Sequence, residues 1–175
     1  MLDGAEPEEY KKPWLMQAAS IRTVEILLVE DSPSDAAFAV EAFRDTTLPN
    51  HLTLVDDGVE AIAFLRRQGN FADAIRPDLI LLDLNLPRKD GREVLAEIKS
   101  DQELKTIPVL ILTTSQAEND VLNAYKLNAN GYIQKPVDFT RFLDIIRAIE
   151  AFWFRAATLP PKPRPPYAMD ISLRA

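Results

Sequence analysis

Apolar and polar positions divide this chain into two kinds of segment. Short runs of consecutive apolar residues, such as VEILLV and LILL, are typical of strands that are covered on both faces. Between them lie longer segments in which apolar residues recur every three or four positions, the spacing of a helix with one buried face. The apolar runs predict five strands, at residues 24–29, 51–55, 78–83, 109–113 and 131–134.

A helical segment follows each predicted strand. Ser32, Pro33 and Asp35 are residue types favoured at a helix start, and Asp138 caps the last helix. The strict alternation of strand and helix predicts an α/β protein with a parallel sheet, helices on both faces and right-handed crossovers. The predicted helices cover about residues 35–44, 59–69, 91–100, 118–127 and 138–155.

The last two helices carry apolar patterns that bear on assembly. In the fourth helix we expect Val121, Leu122 and Tyr125 to face inward. In the last helix we expect one inner stripe and three apolar residues outside it, which leaves a second surface to be covered. Either the flanking segments cover that surface, or the chain forms a homodimer through this helix and the C-terminal tail, which we favour. The inner stripe comprises Phe142, Leu143, Ile146, Ile149 and Trp153, and the outer residues are Ile145, Phe152 and Phe154.

Two segments flank the strand–helix pattern. Residues 1–20 are rich in Glu, Lys and Pro, with one apolar cluster around Trp14, and form either a disordered tail or a short amphipathic segment. The C-terminal segment contains LPPKPRPP, which cannot begin as a helix and should be extended. The sequence therefore predicts an N-terminal extension at 1–20, a folded domain at 21–157 and a proline-rich tail at 158–175.

Composition narrows the possible functions. The 175 residues carry a formal net charge of −7, which argues against a nucleic-acid partner. The absence of cysteine excludes disulfides and thiolate sites, and a single histidine excludes a multi-histidine metal site. The acidic N-terminus is no signal peptide, and no apolar run approaches the roughly 20 residues of a membrane helix. We therefore expect a cytoplasmic protein without a membrane partner.

Polar side chains that could bind a metal or take part in a reaction lie at the ends of four predicted strands. Glu30 and Asp31 follow the first strand, Asp83 ends the third, Thr113 ends the fourth and Lys135 follows the fifth. In an open parallel sheet these strand ends reach one edge, where ligands bind. Converging carboxylates repel each other unless a cation neutralises them, and hard oxygen ligands suit Mg²⁺.

This arrangement could hold a phosphoryl group. Lys135 would neutralise one phosphoryl oxygen, and Thr113 would donate to another. Asp83 would then be the nucleophile that forms an aspartyl-phosphate, and Asn85 could offer its backbone carbonyl to the metal. Each residue alone also has an ordinary explanation as a helix cap, a turn residue or a solvated charge. Their coincidence on one sheet edge favours the phosphoacceptor site.

The same residues carry a resemblance to a known family. The segments ILLVEDSPSD, LILLDLNLPRKDG, VLILTTS and GYIQKPV resemble the receiver domain of two-component response regulators over about residues 24–154. The resemblance implies a flavodoxin-like strand order 2-1-3-4-5 and Mg²⁺ bound by the acidic pair and Asp83. It also implies a phosphohistidine on a sensor histidine kinase as phosphoryl donor. Thr113 and Tyr132 correspond to the switch pair, whose rearrangement alters the face formed by the fourth helix, fifth strand and fifth helix.

A finer resemblance concerns three further segments. LPRKDGREVLAEIKSD, LTTSQAENDV and AIEAFWF are similar to small stand-alone regulators that partner phytochromes in cyanobacteria and other bacteria. This resemblance implies a light-regulated histidine kinase as donor. With few residues beyond the receiver pattern, we expect output by protein–protein contact or by transfer to a histidine phosphotransfer protein.

Two other functions compete with the switch. Phosphatases that pass through an aspartyl-phosphate usually need a second aspartate two residues after the nucleophile as general acid. That position is Asn85, which cannot serve as an acid. Nucleotide binding on a doubly wound sheet needs a glycine-rich first turn, whereas the turn here is EDSPSD. Asp56 and Asp57 are expected to form a turn rather than bind a ligand.

Overall fold

A computed structural model describes residues 22–162 of the chain. The predicted N-terminal extension at 1–20, with its apolar cluster around Trp14, lies outside the described residues. The predicted tail at 158–175 is described only as far as residue 162. Over the described residues, no helix has the length and apolar character that crossing a membrane requires.

The five predicted strands form one parallel sheet. Its strand order is 2-1-3-4-5, as the resemblance implied. Val29 of the first strand pairs with Leu82 of the third, Leu82 with Ile111 of the fourth, and Ile111 with Tyr132 of the fifth. The carboxyl ends of these strands are therefore in register at one edge. The strands are β1 Val24–Val29, β2 Asn50–Val55, β3 Leu79–Leu82, β4 Val109–Thr113 and β5 Gly131–Gln134.

Helices follow all five strands, and carboxylate or hydroxyl caps start most of them. Asp57, Asp90 and Asp138 each accept hydrogen bonds from the first free N–H groups of a helix, and Ser32 does so through its hydroxyl. A 3₁₀ turn at Gly69–Phe71 takes the place of the predicted end of the second helix. The helices are α1 Pro33–Arg44, α2 Gly58–Leu65, α3 Gly91–Ser100, α4 Glu118–Lys126 and α5 Phe139–Ile149.

Two apolar layers sandwich the sheet. On one face α2, α3 and α4 pack against strand residues such as Leu27 and Ile80. On the other face α1 and α5 pack against the alternate strand residues, among them Leu28 and Leu81. Because β3 lies at the centre of the sheet, all four of its residues are buried. This central burial explains why β3 contains no polar residue before Asp83.

The inner face of α4 differs from the prediction. Ala124 is the buried residue of this helix, whereas Leu122 and Tyr125 are each 52% exposed and Val121 is only partly buried. The expected stripe of Val121, Leu122 and Tyr125 is therefore wrong. A small residue at the contact lets a helix approach a sheet closely, and the larger neighbours then lie on either side of the contact. The consequence is an apolar surface on α4 that faces solvent.

The last helix also differs from its prediction, because its final turns widen. A π-helix, Glu150–Ala156, continues α5 and shifts the phase of the side chains that follow. Phe142, Ile146 and Ile149 are buried as expected. Two residues expected outside the inner stripe, Ile145 and Phe154, also pack partly against the core, as do the inner-stripe residues Leu143 and Trp153. Of the three outer residues only Phe152 is strongly exposed, at 57%.

The first residue of the π-helix anchors it to the loop after α1. The carboxylate of Glu150 accepts from the Thr47 hydroxyl at 2.7 Å and from the Arg155 guanidinium at 3.0 Å. Burial opposes ionisation of Glu150, but these partners prevail and hold its pKa below the ordinary value. The charged form of Glu150 therefore ties the end of the chain's last helix to the body.

At the edge of the sheet where the strands begin, Asp78 joins the two ends of the described chain. Its buried carboxylate lies 2.6 Å from the Arg22 guanidinium and 3.2 Å from the Lys162 ammonium. It also accepts from the backbone N–H of Glu25 at 2.9 Å. Residues 22 and 162 thus meet at one side chain, at the edge opposite the carboxyl ends of the strands.

Candidate functional site

Three carboxylates converge where β1 and β3 end. Glu30 and Asp83 are buried, with 3% and 5% exposure, and Asp31 is exposed. Oxygen atoms of the three groups lie within 4.8 Å of one another. Backbone N–H groups orient the buried pair: Ser32 donates to Glu30 at 3.1 Å and Asn85 to Asp83 at 3.1 Å. The structure therefore brings together the acids that the sequence placed on one edge.

Lys135 supplies the balancing positive charge. Its Nζ lies 2.6 Å from Asp83 Oδ2 and 2.9 Å from Asp35 Oδ2, and it also pairs with the carboxylate of Glu30. Its backbone N–H donates to the Thr113 carbonyl at 2.8 Å, which brings the side chain over the ends of the strands. Burial disfavours the ammonium, but the hydrogen bonds to the carboxylates outweigh burial and raise the pKa of Lys135. Lys135 is therefore charged in the site.

The carboxylates of the site outnumber its one ammonium, so a bound cation could neutralise further negative charge. Burial raises the pKa of Glu30 even though Lys135 lies beside it, so this ammonium does not fully offset the desolvation of the Glu30 carboxyl. The donor set is three carboxylates whose oxygens lie within 4.8 Å of one another, which fits a hard divalent ion such as Mg²⁺ or Mn²⁺. Glu30, Asp31 and Asp83 are the residues that would hold it.

Thr113 and Tyr132 lie on the two strands beyond β3. Thr113 is fully buried at the end of β4, and its hydroxyl accepts from the N–H of Ser115 at 3.4 Å. The hydroxyl of Tyr132 donates to the Ser115 carbonyl at 3.1 Å, and burial raises the pKa of Tyr132. Ser115 therefore contacts both members of the predicted switch pair.

A charged network that the sequence did not reveal holds Ser115 in place. The Ser115 hydroxyl donates to Asp120 at 2.6 Å, and the guanidinium of Arg92 binds the same carboxylate at 2.7 Å. Arg92 also binds Asp90 at 3.0 Å, in the loop that follows β3. Arg92 and Asp120 lie 28 residues apart in the chain, so no local sequence pattern predicts their contact. Hydrogen bonds from Ser115 and Arg92 lower the pKa of Asp120, so the network is ionised.

Asp35 is a further site residue that sequence reasoning missed. Its residue type indicates only a helix start, but its carboxylate accepts a hydrogen bond from Lys135. Its position could have indicated this role. Asp35 lies four residues after Asp31, in the first turn of α1, where a side chain points back toward the end of β1. The site thus contains four carboxylates rather than three.

A second acidic group, Asp56, Asp57 and Glu60, lies at the end of β2. Asp57 caps α2, accepting from the N–H groups of Val59 at 2.7 Å and Glu60 at 2.9 Å. Its other oxygen pairs with Arg88. These contacts make Asp57 the cap of α2. The sequence pattern predicts a turn at Asp56 and Asp57 but does not identify the cap.

Gly91 allows the chain to fold back close beneath Asp83. A Cβ at this position would lie 2.0 Å from the carbonyl oxygen of Asp83 and 2.7 Å from the Cα of Leu84. The backbone N–H of Gly91 donates to the Leu84 carbonyl at 2.9 Å. The turn that positions the carboxylate therefore requires glycine as the first residue of α3.

Comparisons with known proteins agree with this arrangement. The model of the response regulator receiver domain family matches residues 26–147. The chain is 48% identical over 135 residues to the response regulator Rcp1 of Synechocystis sp., covering 77% of this chain and 92% of that protein. It is 31% identical to the chemotaxis protein CheY-3 of Vibrio cholerae over 121 residues, covering 69% of this chain and 87% of that protein.

Two solved structures share the fold. The phosphorylated cyanobacterial phytochrome response regulator RcpA is 51% identical, with a TM-score of 0.77 over 80% of this chain and all of that one. The Mn²⁺-bound form of Rcp1 is 47% identical, with a TM-score of 0.75 over 79% of this chain and 99% of that one. Phosphorylation on an aspartate and binding of Mg²⁺ are typical of the family. The chain belongs to the response regulator receiver domain family.

Proposed function

We propose that Asp83 is the aspartate on which this response regulator is phosphorylated. The observation that carries the proposal is the 2.6 Å contact between Lys135 Nζ and Asp83 Oδ2, in a buried site beside Glu30 and Asp31. A carboxylate that follows a central strand and is paired with a buried ammonium is placed to attack a phosphorus atom. Glu25, Glu41 and other surface acids lie outside this acidic cluster.

The chemistry is transfer of one phosphoryl group to a carboxylate oxygen. An oxygen of Asp83 forms a bond to phosphorus while the bond from phosphorus to a histidine nitrogen of the donor kinase breaks. The electron pair of that bond stays with the imidazole of the donor, which takes a proton from solvent. Lys135 then shares an N–H with a phosphoryl oxygen and offsets its charge.

We propose Mg²⁺ as the physiological ion, held by Glu30, Asp31, Asp83 and the backbone carbonyl of Asn85. When bound, it supplies charge neutralisation for the phosphoryl oxygens. The oxygen-only donor set supports this assignment, as does the relative Rcp1, whose solved structure is a Mn²⁺-bound form.

We propose that Thr113 and Tyr132 convert phosphorylation into a change of surface. Thr113 lies at the strand end next to β3, where its hydroxyl could donate to a phosphoryl oxygen. Moving that hydroxyl disturbs the N–H of Ser115, and the carbonyl of Ser115 is the acceptor for Tyr132. Tyr132 also lines an apolar cavity between α4, β5 and α5. The chain of contacts supports a route from Asp83 to that face.

The phosphoryl donor is a sensor histidine kinase, as for the family. We propose that it is a phytochrome-like kinase, because Rcp1 and RcpA are 48% and 51% identical to this chain over the 77% and 80% of it that they match, and RcpA is described as a phytochrome response regulator. We also propose a cytoplasmic location, no nucleic-acid partner and, as one route of output, onward transfer to a histidine phosphotransfer protein. The acidic net charge of −7 supports the exclusion of nucleic acid.

A phosphatase is the alternative that the site geometry disfavours. Its general acid would stand at Asn85, an exposed residue whose amide has no acidic proton to give. The described side chains around Asp83 are carboxylates that either pair with Lys135 or belong to the acidic cluster. We therefore propose a switch that holds its phosphoryl group, with only self-dephosphorylation as further chemistry.

The test of the site is Asp83→Asn with acetyl phosphate and Mg²⁺, followed by intact-mass measurement. The wild type should gain one phosphoryl group, Asp83→Asn none, and chelation of Mg²⁺ should stop labelling of the wild type. Asp56→Asn is the matched control, since it removes an acid at the end of β2, in the second acidic group, and should label normally. Full labelling of Asp83→Asn would overturn the assignment, and sustained turnover of a phosphomonoester would favour the phosphatase.

We propose further that the chain forms a homodimer through α4, β5, α5 and the C-terminal tail. The support is a cavity of about 420 Å³, lined mainly by apolar side chains that include Tyr125, Ile145 and Phe152. Tyr125 and Phe152, which line it, expose more than half of their surface, as does Leu122 elsewhere on α4, and such apolar exposure is costly in a monomer. A second copy covers the same patch on both subunits, as two-fold symmetry requires.

For the domain organisation we propose a receiver domain at 21–157 with extensions on both sides. The family model ends at residue 147, but Trp153 and Phe154 still pack against the core. The π-helix therefore belongs to the folded domain, and the extended segment begins after it.

A further inference from the structure

Asp35 contacts the ammonium of Lys135 but does not belong to the acidic cluster that could bind a metal. Its Oδ2 lies 2.9 Å from Lys135 Nζ, while the acidic cluster comprises Glu30, Asp31 and Asp83. It lies in the first turn of α1, where its backbone N–H donates to the Ser32 hydroxyl at 3.4 Å. The start of α1 therefore aims a fourth carboxylate at Lys135.

The ammonium of Lys135 has no N–H left for a new partner. A lysine ammonium has three donors, and here its three carboxylate partners are Glu30, Asp35 and Asp83. A phosphoryl oxygen can accept from Lys135 only when one of these contacts is given up. The reaction at Asp83 thus includes the release of one carboxylate.

Asp35 is the partner that is released at least cost. The side chains of Glu30 and Asp83 are 2% and 6% exposed, whereas that of Asp35 is 32% exposed. Water can therefore solvate Asp35 when it leaves Lys135. Asp35 and Lys135 also line a cavity of about 200 Å³ with Phe38 and Val137, which gives the carboxylate room to turn away.

We propose that Asp35 is a positioning residue that restrains Lys135 in the unphosphorylated state and thereby slows phosphorylation of Asp83. Its negative charge also repels the anionic donor as it approaches the site. The proposal rests on Asp83 being the phosphoacceptor. It predicts that neutralising Asp35 speeds the reaction with a small donor rather than impairing it.

The expected effect is a several-fold change in one rate constant. Asp35→Asn should raise kcat/KM for phosphorylation by acetyl phosphate about fivefold, which corresponds to about 1 kcal/mol, the size of one partly exposed ion pair. The half-life of the phosphorylated protein should change less than twofold, because the phosphoryl group already holds Lys135 in both variants. The dissociation constant for Mg²⁺ should also stay within twofold, because Asp35 lies outside the acidic cluster.

The experiment compares the wild type, Asp35→Asn and Glu41→Gln. Glu41 is an exposed acid later on α1, so the control makes the same charge change away from Lys135. Phosphorylation is followed by intact mass at several acetyl phosphate concentrations, and Mg²⁺ binding to the unphosphorylated proteins by calorimetry. A fivefold gain in Asp35→Asn alone supports the proposal.

Three outcomes would overturn it: equal labelling rates, slower labelling of Asp35→Asn, or an equal gain in Glu41→Gln. Weakened Mg²⁺ binding in Asp35→Asn would instead make Asp35 part of the metal site, against the proposal. These outcomes are separable from failure of the phosphoacceptor assignment, which would appear as labelling of Asp83→Asn.

Discussion

Replacing Gly91 by alanine should disturb the turn after Asp83, and the structure gives the size of the effect. The new Cβ would lie 2.0 Å from the Asp83 carbonyl oxygen and 2.9 Å from its carbonyl carbon. Non-bonded heavy atoms are normally about 3.5 Å apart, so the backbone of Gly91 or of Asp83 must move by about 1.5 Å to relieve the contact. Both sides of this contact are buried, and the obstacle is main chain rather than a flexible side chain.

The cost has three parts. Overpacking of this kind costs about 1–3 kcal/mol, and loss of the hydrogen bond from Gly91 to the Leu84 carbonyl adds about 1 kcal/mol. The higher helix propensity of alanine offsets up to ~1 kcal/mol of this cost. We therefore expect Gly91→Ala to lower the free energy of unfolding by about 2 kcal/mol, or Tm by about 4–8 °C. Because Asp83 moves with its carbonyl, labelling by acetyl phosphate should fall at least ~10-fold.

Gly131→Ala is the matched control for this prediction. A Cβ there would meet only the end of the Leu110 side chain, at 2.9 Å, and that methyl group can turn away. Its unfolding free energy should change by less than ~1 kcal/mol and its labelling should stay normal. Urea unfolding of both variants gives the comparison. If Gly91→Ala is as stable and as well labelled as Gly131→Ala, the close approach beneath Asp83 does not exist as described.

Two predictions concern the last helix. Because folding lowers the pKa of Glu150, its carboxylate stabilises the fold above the ordinary pKa, and this stabilisation is lost as the pH falls through the lower folded-state pKa. Glu150→Gln should therefore be less stable than the wild type by about 1–2 kcal/mol at pH 7, and the two proteins should become equally stable in acid. Urea unfolding at several pH values measures the difference, and a difference that does not change with pH would contradict the prediction. Phe152→Ser should raise the dimer dissociation constant at least ~10-fold in sedimentation experiments, whereas a monomeric wild type, or an unchanged constant, would refute the dimer.

The sheet and the acidic cluster could be predicted because their signals are local. A strand buried on both faces cannot contain a polar residue, so LILL followed by Asp83 already marks where the strand and its burial end. The same reasoning identified Glu30 and Lys135, which leave the sheet at the same edge. Parallel strands then bring these ends together without any further information from the sequence.

The features that could not be predicted depend on contacts between distant segments. Asp35 was taken as a cap because nothing local shows that Lys135, 100 residues later, reaches its carboxylate. In α4, periodicity assigned Leu122 and Tyr125 to the core, but close packing through Ala124 leaves both at the surface. The apolar pattern is therefore compatible with either face, and only the packed structure shows which face is buried.

The contacts of Asp78 have a practical consequence for building reporters from this protein. Because Arg22 and Lys162 bind the same carboxylate, a short flexible linker could join residues 22 and 162 without crossing the sheet. New chain ends could then open at the exposed turn around Gly69, where no heavy atom of residues 22–162, apart from Gly69 and its two chain neighbours, lies within 4 Å of a would-be Cβ. Such a circular permutant would keep its fusion points away from Asp83, so a fluorophore placed beside α4 could report the switch without obstructing the donor.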